Sequence, residues 1–300
     1  MLKLPITNHN YFSQFLILLI TTLISTGIFL IFGSLFSVLA FKVDLNSMND
    51  LQADNVIAAL KVSQIFSAIG FFIIPPLFYA KLYYRNPLSY LGIYKLPNAK
   101  IFLLCIVLFI IITPMLNYLV VFNESIDLPD SLSALETIFK NYELEAEKLT
   151  KVFLQMNSFS DFILVFFIVA IIPAFGEELF FRGALQQLFI KWFKNPHIAI
   201  WVTAFLFSAL HFQFYGFLPR MFLGALLGYF FYWSQSLWVS ILFHLFNNGS
   251  LVILEYFSET SYFDQKQELD TIDFYMLPFS FILAVVIFYI IQKQTKRSDI

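Results

Sequence analysis

The chain has a single cysteine, Cys105. One thiol builds neither an internal disulfide framework nor a cysteine metal cluster. Charge is also scarce: only 13% of the 300 residues are Asp, Glu, Lys or Arg, about half the roughly 25% of a soluble globular domain. A net charge of −2 offers no basic surface for nucleic acid. No internal repeat is visible, and no HExxH metalloprotease motif. What the chain has instead is hydrocarbon, with 59% hydrophobic residues and 40 phenylalanines. The reading is an all-α, polytopic membrane protein embedded in a lipid bilayer.

Apolar stretches approaching the ~20 residues of a spanning helix lie near 12–41, 56–80, 101–122, 162–190, 197–212, 217–234, 236–256 and 275–292. About eight transmembrane helices are therefore expected. The first run is far longer than the roughly 7–15 apolar residues of a signal peptide, so it reads as an uncleaved span. Basic residues alternate with acidic ones between stretches. Lys3 precedes the first; Lys81, Arg85, Lys95 and Lys100 separate the second and third; Lys191 and Lys194 separate the fourth and fifth; Lys293, Lys296 and Arg297 follow the last. Asp44, Asp50, Asp54, the acidic 124–147 region, Glu259, Asp264, Glu268, Asp270 and Asp273 fall on the other side. Lys/Arg excess marks the cytoplasmic side, which puts both termini of this cell-membrane protein in the cytoplasm. Arg220 and the lysines of 140–151 are exceptions. Residues 130–151 have helical periodicity with a charged face, fitting an amphipathic helix on the outer surface or a substrate gate. Residues 86–98 carry turn formers and read as a cytoplasmic connector.

Few polar groups remain inside the later stretches: Glu177, Glu178 and Arg182 in the fourth, His211 in the fifth, and His244, Asn247 and Asn248 in the seventh. Charge in the bilayer core is costly unless it is paired or has a task. Glu178 and Arg182 stand at i and i+4, share a helix face and can pair. Glu177 is turned by about 100° from that face and has no partner in its own helix. Pro173, one turn earlier, deprives the Val169 carbonyl of its donor. That is either an ordinary membrane-helix kink or room opened beside Glu177. His244 and Asn248 also share a face, as donors for an oxyanion or as glue between helices. Counting from the Asn195–Pro196 turn at ~1.5 Å per residue, Glu177 and His211 lie ~27 and ~22 Å away, at a similar level between antiparallel neighbours. His244 and Asn248 lie ~12–18 Å from their own turn, so the two sets meet only if the fourth helix overhangs the membrane on the cytoplasmic side.

A carboxylate, two imidazoles and an amide suffice for hydrolysis. A Glu with a neighbouring His can take a proton from water and pass it to a leaving amine, while the His/Asn pair stabilises the tetrahedral oxyanion. No Ser or Cys is placed as a nucleophile, so activated water is the simpler attacker. The other polar features read as structural. Lys61 snorkels, Gly224 and Gly228 form a small-xxx-small packing face, and His9 and His197 sit at interfaces.

The chain resembles the CAAX protease and bacteriocin-processing family, which contains the Ras-converting membrane endopeptidases. The resemblance rests on three boxes in order: EELFFR (177–182), FSALH (207–211) and HLFNN (244–248). It covers about 160–256; the first spans and the last one match only in general character. It implies an intramembrane endopeptidase that acts on a membrane-associated peptide or protein. Glu177 would activate water with the help of His211, His244 and Asn248 would form the oxyanion site, and Glu178 and Arg182 would complete and brace the motif. A catalytic core over 159–256 would follow an N-terminal region, 1–158, of three spans and the amphipathic segment. Residues 257–300 would supply an outer loop, the last span and a cytoplasmic tail. The glutamate-dependent mechanism needs no cofactor; a zinc site from two His and a Glu stays open as an alternative. Two other readings remain: a non-catalytic immunity or scaffold protein of the same family, and a proton-coupled transporter, for which no inverted repeat is apparent.

Overall fold

A computed structural model describes residues 10–43, 51, 53–97, 99–258 and 270–295. The helices are α1 (Tyr11–Phe41), α2 (Asp54–Tyr83), α3 (Pro87–Tyr90), α4 (Ala99–Glu124), α5 (Ser133–Phe153), α6 (Phe159–Phe193), α7 (Pro196–Ala209), α8 (Phe217–Ser234), α9 (Leu237–Phe257) and α10 (Asp270–Thr295). No strand occurs among the described residues. A helix stands at each expected apolar stretch. Six are long and apolar enough to cross a membrane: α1, α2, α4, α6, α9 and the Met276–Gln294 part of α10. Helix α7 is apolar but shorter. Lys3, His9, Asp44, Asp50, Glu259, Asp264, Glu268, Lys296 and Arg297, which carried part of the charge pattern, lie outside the described residues.

Local chemistry sets the helix ends. The Asn10 side chain accepts from the Phe12 and Ser13 amides at 3.0 and 3.3 Å, capping α1. The expected turn at 195–196 forms as a relay. Helix α6 ends at left-handed Lys194 (φ 55°), and Asn195 caps α7 through the His197 and Ile198 amides at 2.9 and 3.2 Å. Pro196 then occupies the first turn, where its missing N–H costs nothing.

Two of the long helices contain widened π-helical turns just before prolines. In α2 the widened turn is Ile69–Ile73, ahead of Pro75 and Pro76. In α6 it is Phe166–Ile171, ahead of Pro173. Proline withholds the N–H that the preceding turn needs, and the hydrogen-bond register shifts locally, as in the Ile172 amide's bond to the Phe167 carbonyl. A third π segment, Leu179–Gln186, carries no proline.

One core unites α1, α2 and α6 through Leu18, Tyr79, Phe181 and Leu185; a second joins α4, α8, α9 and α10 through Cys105, Leu227, Phe243 and Ile291. Helix α6, at 35 residues, is roughly 52 Å long, far beyond the ~30 Å of a bilayer core. Its C-terminal part packs against the 86–97 connector. Leu91 there is fully buried, against Gly183 of α6. Gly92, at φ 75°, turns the chain so that its carbonyl accepts from the Leu237 amide at 2.9 Å. The Trp238 indole donates to the Ile93 carbonyl at 2.8 Å, and the Lys95 ammonium to the Ser234 carbonyl at 2.6 Å. The connector is thus a built part of the core, tied to the α8–α9 turn.

Lys61 of α2 is largely buried, and its ammonium donates to the Gln155 carbonyl at 3.4 Å. It serves as a tie to the end of α5, where the sequence suggested a snorkelling side chain.

Candidate active site

Helix α6 carries the two adjacent carboxylates on different faces, and their surroundings differ accordingly. Glu178 is fully buried. Its Oε1 accepts from Arg182 Nη1 at 2.6 Å, the expected i, i+4 pair, and from His244 Nδ1 at 2.8 Å. The second bond joins α6 to α9. A carboxylate only accepts, so Nδ1 carries the proton in this contact. His244 Nε2 therefore points away from Glu178, toward Glu177 Oε2 at 3.9 Å.

Arg182 is also fully buried. Its Nη2 donates to the Gly224 carbonyl at 2.9 Å, and its guanidinium carbon lies 4.8 Å from the Phe207 ring centroid. One turn on, Gln186 Nε2 donates to the Gly228 carbonyl at 3.0 Å. The two glycines therefore do more than pack. An added Cβ at Gly224 would meet Phe207 and Ala204 at 3.2–3.3 Å, and one at Gly228 would meet the Gln186 side-chain oxygen at 2.6 Å. The bare backbones at Gly224 and Gly228 let α8 lie close against α7, and at Gly228 against Gln186 of α6 as well.

Phe207 of α7 is the hub of the ring packing. It meets Phe181 and His211 edge-on, with centroids 5.1 Å away in each case, and His244 at 6.0 Å. Helix α7 stops at Ala209, so His211 sits on the turn beyond the helix, with an exposed ring. Its Nδ1 donates to the Phe207 carbonyl at 2.8 Å, which leaves Nε2 as the acceptor. Phe212 follows at φ 53°, a backbone region a large side chain rarely adopts. His211 joins the cluster through Phe207 and through electrostatic interaction with His244 and Arg220.

Glu177 is less enclosed, its side chain 14% exposed. It interacts electrostatically with His244, Glu178, Arg182 and Arg220. Asn248 Nδ2 donates to the Val169 carbonyl at 3.3 Å, the acceptor that Pro173 leaves without its helical donor. Asn247 Nδ2 in turn donates to Asn248 Oδ1 at 3.1 Å. The proline kink and the amide thus belong together. Asn248 in this arrangement is an interhelical tie, with its donor group on the Glu177 helix. His197 stands apart, its Nδ1 within 3.0 Å of the Tyr229 hydroxyl.

Sequence reasoning missed the Glu178–His244 bond and assigned Arg220 no role. Its one sign was that Arg220 breaks the charge pattern of the loops. Among the described residues, no group of three or more His, Cys, Asp or Glu side chains is arranged to hold a metal ion.

Residues 159–250 match the family model described as Rce1-like, type II CAAX prenyl endopeptidase Rce1-like. The similarity covers about a third of the chain. No curated protein and no solved structure matches the chain. The Rce1-like segment contains both glutamates, Arg182, His211, His244 and Asn248, and also Arg220, so the whole buried cluster lies within the matched residues. Helices long and apolar enough to cross a membrane, on either side of a segment that matches this family model, are those of a multi-pass membrane protein.

Proposed function

We propose that the chain is an intramembrane endopeptidase in which Glu177 activates water to cut a membrane-associated peptide or protein. The carrying observation is the division of labour between neighbours. Glu178 is committed to Arg182 and His244, while Glu177, turned to another face, keeps its carboxylate 3.9 Å from His244 Nε2.

In this reading Glu177 takes a proton from water as the oxygen adds to the scissile carbonyl. The carbonyl oxygen becomes an oxyanion facing Asn248, which exchanges its 3.3 Å contact with Val169 for one with that oxygen, and His244, whose Nε2 donates to it in the ring form that carries a proton on both nitrogens. The C–N bond then breaks, and the proton held on Glu177 passes to the leaving amine. His211, with Nε2 as its acceptor, assists from the exposed side. Glu178 and Arg182 hold His244 and the α6–α8 contact in place. The steps need no metal. The catalytic core would be 159–256, carried by the N-terminal region 1–158 and closed by 257–300, with both termini cytoplasmic in the cell membrane as the basic connections suggest.

The test compares membrane proteomes of cells carrying the unaltered chain and Glu177→Gln. Removing a general base costs about 10²–10⁴-fold in rate, so an uncut precursor should accumulate while the variant still inserts and folds. Undiminished cleavage overturns the proposal. A cellular effect that survives Glu177→Gln points to the scaffold reading, and proton-coupled uptake in liposomes to the transporter.

A further inference from the structure

Arg220 has no part in the hydrolytic scheme, yet it is a second arginine held among apolar helices. It lies in the first turn of α8 and lines a cavity of about 500 Å³ between α4, α8 and α9. The walls are largely apolar, with Thr113, Asn117, Asn247, Asn248 and Ser250 as polar points; Arg220 is the one charged residue of the lining. Asn248 is common to the cavity lining and the candidate site.

The guanidinium is seated but only partly used. Nε donates to the Gly216 carbonyl at 3.1 Å and Nη1 to Gln213 Oε1 at 2.8 Å, while Nη2 reaches the Gln213 carbonyl at 3.5 Å. These acceptors are neutral. Glu143 and Glu177 act on Arg220 electrostatically, but neither lines the cavity. A guanidinium has five N–H donors, so one remains on each terminal nitrogen to donate a charge-assisted hydrogen bond to a carboxylate. A Cβ at position 216 would collide with Arg220 Nη2, so the glycine preserves the seat. The positive end of an 18-residue helix adds to the attraction for an anion.

We propose that Arg220 binds a carboxylate of the peptide substrate in this cavity and selects anionic peptides. The inference rests on the protease reading for the ligand being a peptide. Three palmitoylated, dansyl-labelled hexapeptides test it by binding to the full chain in phosphatidylcholine nanodiscs, with empty discs subtracted. One ends in a free carboxylate, one is amidated, and one is amidated but carries a single aspartate.

At least one carboxylate peptide should bind about tenfold tighter than the plain amide, the scale of one charge-assisted hydrogen bond. Which one does so tells a C-terminal from a side-chain carboxylate. The preference should fall to within about twofold in Arg220→Gln and survive in part in Arg220→Lys. Equal binding of all three peptides to the unaltered chain overturns the proposal without any variant, as does a preference unchanged in folded Arg220→Gln. Phosphatidylglycerol discs that abolish all three bindings alike also overturn it, in favour of a lipid headgroup site. Acid preference in a chain that never cuts overturns the protease reading and leaves the carboxylate site standing.

Discussion

The two arginines of the Rce1-like segment stand in opposite kinds of surroundings. Arg182 is sealed: fully buried, ion-paired to Glu178, bonded to the Gly224 carbonyl and covered by Phe207. Arg220 lines a cavity and bonds to neutral oxygens. The glutamates divide in the same way, Glu178 into the sealed wall and Glu177 toward the open side. In a bilayer an ionised group must be either compensated or put to use. The sealed wall shows full compensation, with one carboxylate fixing both the guanidinium and the imidazole that faces the open side. On the open side Glu177 and Arg220 act on each other electrostatically.

The wall breaks most severely if its anion is removed. Glu178→Ala leaves Arg182 uncompensated and His244 without its Nδ1 acceptor. Breaking one partner of a buried pair costs about 3–5 kcal/mol. Unfolding in mixed micelles should show a loss of that order, whereas Glu177→Gln should unfold within about 1 kcal/mol of the unaltered chain, as an exposed or half-open position does. Adding Arg182→Met to Glu178→Ala should recover much of the loss, because the stranded charge goes with it. Equal stability of the two glutamate variants would erase the distinction between wall and open side.

A smaller effect sharpens how the wall is closed. Gly228→Ala puts a methyl group 2.6 Å from the Gln186 side-chain oxygen and 2.9 Å from Ile200 Cγ2. Gln186 can swing aside but Ile200 is packed, so the α7–α8 contact must open slightly. Overpacking of this kind costs about 1–3 kcal/mol. Hydrogen exchange should rise in α8 more than in α1. An unchanged midpoint would mean that the α6–α8 contact is looser than its bonds imply.

The sequence makes one half of the site readable and conceals the other. Spacing within a single helix is fixed by helical geometry, so the Glu178–Arg182 pair and the turned-away Glu177 follow from 177–182 alone. The turn at 195–196 announces itself as Asn-Pro. The Glu178–His244 bond depends on the height of α9 against α6. The connector ties the 234–237 turn through Gly92 and Lys95, and nothing in the composition of 86–98 distinguishes such a tie from a solvated loop. Pro173 does foretell a freed Val169 carbonyl, but not that Asn248 would take it from another helix. The first two π turns have prolines as their signal; for Leu179–Gln186 the sequence offers none and its cause is not apparent. A helix stands at each apolar run, but only six of those described are long and apolar enough to span, and α7 is shorter than its run because the chain turns at Phe212 with a left-handed backbone and carries His211 out of the helix.

The smallest effect is expected where the same pair is built in water. Glu136 and Lys140 on α5 have the i, i+4 spacing of Glu178 and Arg182 and a contact of 2.5 Å against 2.6 Å. Geometry is thus nearly held constant while burial changes. The Glu136 carboxylate, first by hydrogen bond and then by its field, holds the Lys140 ammonium above the usual lysine range. A raised folded-state pKa stabilises below the unfolded value and is lost as pH rises through the folded one, so any contribution is fully present at neutral pH and fades only in strong alkali. Exposure and salt screening reduce it to little there. Lys140→Gln should therefore leave the unfolding midpoint at pH 7 within error, at low and at high salt alike. A shift approaching that of Glu178→Ala would mean that α5 is held down on the turn carrying His211 by charge. The stacked Phe139 and Phe214 rings, 5.0 Å apart, and the Gln213–Glu143 bond at 3.2 Å make the contrary case: the helix is docked by packing and by a neutral donor, and its surface charges are bystanders.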